Sequence, residues 1–87
     1  MQTIKLKNDA VHQVTWCGSA DGFLHFELTD VQSVADAANE FNNAENTAQI
    51  VSLYDDEVID TFDGFTELMM SKKDAYTGYI TITLRKG

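Results

Sequence analysis

Alternation with a period of two runs through most of this chain and is clearest near its end. Across residues 76–85, Ile80, Ile82 and Leu84 face one way while Tyr79, Thr81, Thr83 and Arg85 face the other. Successive side chains of a strand point to opposite faces, so the pattern specifies a strand buried on one side. Ile4 and Leu6 mark a first strand over 3–7, Val14 and Trp16 a second over 11–17, and Leu24, Phe26 and Leu28 a third over 23–28. Residues 47–54, 57–62 and 65–70 read as three more. Turn formers separate them: Asn8-Asp9, the run from Gly18 to Gly22, Asp55-Asp56 and Asp63-Gly64.

One segment keeps helical spacing instead. Val31, Val34, Ala35, Ala38 and Phe41 form a single apolar stripe. Thr29 with Gln32, or Ser33 with Asp36, can cap its start. Asn42-Asn43 is expected to end it in a left-handed C-cap. The helix spans roughly ten residues and would not persist alone in water. The order βββ-α-ββββ follows. Strands come in runs, which predicts an α+β fold with a mainly antiparallel sheet. Several strands are apolar on both faces, since Phe23, Val51, Leu53 and Ile59 oppose the faces set by Leu24, Ile50 and Val58. One short helix cannot cover both sides. The sheet is therefore expected to be curved or two-layered, or to bury one face against another chain. Trp16, Leu24, Phe26, Phe41, Ile50, Ile80 and Ile82 are the expected core.

Eighty-seven residues without proline, repeats or low-complexity runs predict a single domain over 1–87. A chain of this size buries roughly 60–65% of the surface its unfolded form exposes, so the core is small. The apolar fraction of 44% is that of a globular protein rather than a disordered acidic tail. No stretch approaches the ~20 apolar residues of a membrane span, and the start of the chain lacks the pattern of a signal peptide. The lone Cys17 allows no internal disulfide, which suits a reducing compartment.

Charge is segregated. All six Lys and Arg lie near the ends, and the middle carries all but one of the 14 carboxylates with no fixed positive charge. Such a one-signed field repels phosphate backbones and attracts basic protein surfaces, so no direct nucleic-acid partner is expected. Asp55, Asp56, Glu57, Asp60 and Asp63 form the densest cluster, expected to be an exposed patch around two turns. It fits no calcium loop: with Gly64 as the sixth loop residue, the first is Ile59, which cannot ligate. Met69 and Met70 are an adaptable apolar pair, and strand alternation directs one of them to a second layer or an interface.

The remaining constellations support no enzyme, metal or cofactor. His12 and His25 lack a third and fourth ligand and read as two surface histidines on strands. Cys17 with a histidine holds the parts of a nucleophilic pair but carries no local signature. The segment from Gly18 to Gly22 has neither the lysine nor the glycine spacing of a phosphate-binding loop. Phe62, Phe65, Tyr76 and Tyr79 could stack bases, but Asp60, Asp63 and Glu67 beside them give the wrong charge, and core packing or a protein interface is the expected role.

Phe62-Asp63-Gly64-Phe65-Thr66-Glu67-Leu68, followed by Tyr79-Ile80-Thr81-Ile82-Thr83-Leu84-Arg85-Lys86, resembles the C-terminal half of small uncharacterised proteins encoded by phages and prophages of Gram-positive bacteria. Trp16-Cys17-Gly18 and Gly22-Phe23-Leu24 resemble their N-terminal half. The resemblance implies a particle or assembly context and no chemistry. The resulting expectation is a non-enzymatic phage or prophage protein acting through protein–protein contacts in virion or tail assembly. It would sit in the host cytoplasm or the virion, possess protein partners and self-associate through Met69 or Met70. The alternative is an acidic nucleic-acid mimic that inhibits a nucleic-acid-binding protein of host or phage.

Overall fold

Each alternating segment becomes a strand in the computed structural model, which describes all residues 1–87. The elements are β1 (Gln2–Lys5), β2 (Val11–Ala20), β3 (Phe23–Leu28), α1 (Val34–Phe41), α2 (Ala44–Thr47), β4 (Gln49–Tyr54), β5 (Glu57–Asp63), β6 (Glu67–Lys73) and β7 (Ile80–Arg85). All strands join one sheet in the order β5-β4-β1-β2-β3-β7-β6, and every pairing is antiparallel.

The connection between the two edge strands dictates the shape. Seven strands spaced about 4.8 Å apart would put β5 and β6 roughly 29 Å from each other in a flat sheet. Only residues 64–66 link them, a path of at most about 14 Å. The sheet must therefore curl until its ends approach. Two places allow the bend. On β2, residues up to Val14 neighbour β1 and β3, and a bulge then intervenes before Cys17 meets Phe26. At the other end Gly64 turns the chain with φ +81°, a conformation glycine adopts without a Cβ clash. Strands that switch layers through bulges and bends make the corners of two-layer sheets. Phe62 and Phe65 flank the Gly64 corner and pack edge-on with ring centroids 6.3 Å apart.

The inner face carries the core. Ile4, Leu6, Leu24, Phe26, Leu28, Ile50, Ile80, Ile82 and Leu84 are buried there. Helix α1 lies against β6 and β7 and adds Ala37 and Phe41, whose ring meets Phe26 at 5.0 Å. Six of the seven expected core residues are buried; Trp16 is not, at 43% exposed. The bulge is the cause. It sets Thr15 and Trp16 against Glu27 alone, so alternation slips by one residue and Cys17, not Trp16, follows Val14 inward.

The helical region also departs from expectation. Ser33 is the cap, accepting from the Asp36 amide at 3.3 Å, so Val31 lies before the helix. The buried positions are Ala37 and Phe41, while Val34 and Ala35 face solvent. Asn42 and Asn43 have φ of −90° and −130°, so neither is left-handed. Asn43 instead caps a second, four-residue helix, its Oδ1 accepting from the amides of Glu45 and Asn46. Between β2 and β3 the strands run further than expected. Only Asp21 and Gly22 turn, both at positive φ, which is the two-residue geometry that matches strand twist.

Candidate functional site

Strand β5 is the part of the sheet that the fold covers least. Its only hydrogen-bonded neighbour is β4, and six of its seven residues are exposed. Asp55 and Asp56 deliver the chain into it through a two-residue turn with φ of 48° and 67°. Aspartate tolerates this region better than most residues. The Asp55 amide donates to the Met1 carbonyl at 3.1 Å, and its carboxylate meets the amine of Met1 at 2.7 Å.

The register divides the acidic cluster between two faces. Glu57 pairs with Tyr54 and Asp60 with buried Ser52, so both stand on the core side. Asp63 pairs with Gln49 on the opposite side and accepts from its amide at 3.1 Å. All five carboxylates are exposed, and none has a Lys or Arg within ion-pair distance. They flank one strand edge on both sides rather than tiling one surface.

A second bulge lies within β5. Ser52 pairs with Asp60 and Leu53 with Val58, leaving Ile59 unopposed. Val58 and Ile59 are consequently 62% and 56% exposed. The same device recurs on β6, where Leu68 pairs with Leu84 and Met70 with Thr83, leaving Met69 over. Both methionines are exposed, so alternation does not send one of them inward. The acidic cluster and the methionine pair thus occupy the two different edge strands.

The unpaired edge of β5 offers backbone N–H and C=O groups for a further strand. Negative side chains flank that edge on both faces, and the bulged Val58 and Ile59 add apolar area. This arrangement suits an extended segment rich in Lys or Arg. It disfavours a second copy of β5, because Glu57, Asp60 and Asp63 would meet their own like charges.

The other chemistry-bearing residues are occupied structurally. His12 is not a surface histidine: its side chain is 12% exposed. Its ring lies between Asp30 at 3.3 Å and Glu40 at 2.8 Å, and 5.5 Å from the Phe41 ring. It ties β2 to α1 and to the segment before it, a link invisible in sequence at separations of 18 and 28 residues. His25 contacts the hydroxyl of Thr83, its register partner on β7, at 3.0 Å. No group of three or more His, Cys, Asp or Glu side chains is arranged to hold a metal ion. Burial pushes the Cys17 thiol up to about 12, and the nearby charge of Asp60 adds to the effect. It stays protonated at neutral pH and lacks the thiolate a nucleophile requires. Phe62 and Phe65 are buried and Tyr76 is fully exposed, so the four aromatics form no stacking platform.

No protein-family model matches this chain, and no curated protein or solved structure matches it.

Proposed function

We propose that this chain is a small non-enzymatic protein of a phage or prophage, working by protein–protein contact in assembly of the virion or its tail. Edge strand β5 is the contact, and it accepts an extended basic segment of a partner. The observation that carries this reading is the free outer edge of β5, whose charged residues are all acidic, with its outturned Val58 and Ile59. The resemblance of the segments around Gly64 and Trp16 to phage and prophage proteins supplies the assembly context. Met69 and Met70 on β6 offer a second, apolar contact suited to a homo-oligomer. The chain would act in the host cytoplasm and, where retained, in the particle.

The second reading is an acidic mimic of nucleic acid. Five exposed carboxylates without a Lys or Arg partner favour it. Their division between two faces and their apolar neighbours favour the strand contact instead.

Affinity capture from phage-producing cells, comparing the native chain with Asp60→Lys/Asp63→Lys, separates the two. Recovery of a particle or tail protein that is lost with the double variant supports the first reading. Recovery of a DNA- or RNA-binding protein, released steeply by salt and lost with the same variant, replaces it with the second. Unchanged recovery with the variant removes β5 as the contact.

A further inference from the structure

The outer side of β1, β4 and β5 holds a cavity of about 290 Å³, bordered by core Leu6 and by Val58 of β5. This is near the lower end of the roughly 300–1,000 Å³ typical of small-molecule sites. The register explains its lining. Lys5 pairs with Val51, and Leu53 pairs with Val58, so these four side chains share the face turned away from the core. Val51 and Leu53 are half-buried there and make an apolar floor, with Val58 as a wall.

The rim is cationic. Lys5, Lys7 and Asp9 stand around the mouth. Asp9 lies 3.3 Å from the Lys5 ammonium, while Lys7 has no carboxylate within ion-pair distance. The backbone of Lys7 is held in place by its amide, which donates to the Asn46 carbonyl at 3.1 Å. Lys7 is thus an uncompensated cation beside an apolar floor. An inorganic anion would leave the floor wet, and a polyanion would meet the field of the acidic middle. A neutral apolar molecule would leave the lysine unused. A single carboxylate on a short apolar body satisfies both halves of the site.

We propose that this cavity binds a compact amphipathic carboxylate, its apolar body on Val51, Leu53 and Val58 and its head group at Lys7 and Lys5. The site shares Val58 with the strand contact on β5 but none of that contact's carboxylates, so the Asp60 and Asp63 variants are expected to leave it intact.

Titration of the isotope-labelled full chain with hexanoate, followed by amide chemical shifts, tests the assignment. Hexanoate is expected to shift Val51, Leu53 and Val58 saturably, and acetate to produce no saturable shift. Lys7→Gln is expected to weaken hexanoate by about tenfold, the effect of losing one charged contact. It should leave the weaker binding of hexan-1-ol unchanged. Val58→Asp, at an exposed position that tolerates the change, should weaken both. Absence of saturable shifts with hexanoate overturns the proposal, as does an affinity that neither variant alters. N-acetyl-alanyl-leucine fixes the source of the carboxylate: tighter binding than hexanoate identifies a peptide C-terminus, and weaker binding a free organic acid.

Discussion

Strands β5 and β7 are seven and six residues long and both are rich in β-branched residues, yet they have opposite fates. β7 lies between β3 and β6 and buries Ile80, Ile82, Thr83 and Leu84. β5 lies at the end of the strand order and buries Phe62 alone. β-Branched residues announce a strand in each. What the neighbours do decides how much of it is covered. β7 has a strand on both sides and α1 on its inner face. β5 has one strand, no helix, and a bulge that turns Val58 and Ile59 toward solvent. Acidic side chains and a bulge keep such an edge from pairing with its own kind, and the same features set the chemistry of any strand it does accept.

The same substitution made in both strands tests this contrast most sharply. Ile82→Ala empties a fully buried position on β7 and is expected to cost about 2–4 kcal/mol. Chemical denaturation should show a lower midpoint with an unchanged slope. A midpoint equal to that of the native chain would mean that β7 is not the covered strand described above. Ile59→Ala removes the same atoms from the bulge of β5, where more than half of the side chain already meets water. Its expected effect is within about 0.5 kcal/mol. A loss comparable to that of Ile82→Ala would show that Ile59 is covered in solution, most simply by another copy of the chain. Sedimentation equilibrium on the same samples would then show an oligomer.

The difference between the strands marks how far the sequence could be read. The strands and their mainly antiparallel pairing were legible because every strand but the bulged ones keeps strict alternation, and the core positions of β1, β3 and β7 follow from it; the exact order was not, since two helices stand where one was expected. Ser33, one of two candidate helix starts, and the exposure of the acidic cluster were legible for similar local reasons. The bulges were not. Each adds one residue to a pairing, and pairing depends on which strands become neighbours, which local composition does not encode. Trp16, Ile59 and Met69 all lie at bulges that break the alternation. α2 was hidden because Asn43 serves equally well as the end of one helix or the cap of the next. The cavity beside Lys7 was out of reach for a different reason. It is assembled from β1, β4 and β5, and nothing in sequence places Lys5 beside Val51. A composition read along the chain records only that the lysines sit near its start.

The smallest expected effect lies in the loop that feeds β7. Asp74 closes it by accepting from the amides of Tyr76 at 2.8 Å and Thr77 at 3.0 Å. These backbone bonds, Thr77 first and Tyr76 second, hold its carboxyl below the ordinary value of 3.8. A carboxylate whose folded pKa is depressed stabilises fully above its unfolded pKa, and that contribution is lost as pH falls through the folded value. The loop should therefore keep its order down to about pH 4 and loosen only in more acidic solution. Because Asp74 is fully exposed, the consequence for global stability is slight and the effect is local. The amide shifts of Tyr76 and Thr77, followed against pH, are the direct measurement. They should titrate together, with a midpoint below that of the same residues in an unfolded peptide, and Asp74→Ala should abolish the titration. The β7 strand itself should be unmoved by the variant, since its burial comes from β3, β6 and α1 rather than from the loop. A midpoint equal to that of the peptide would mean that the carboxylate does not hold these amides. Movement of the Ile80 and Ile82 amides with the same midpoint would mean that the loop and not the neighbouring strands fixes the position of β7.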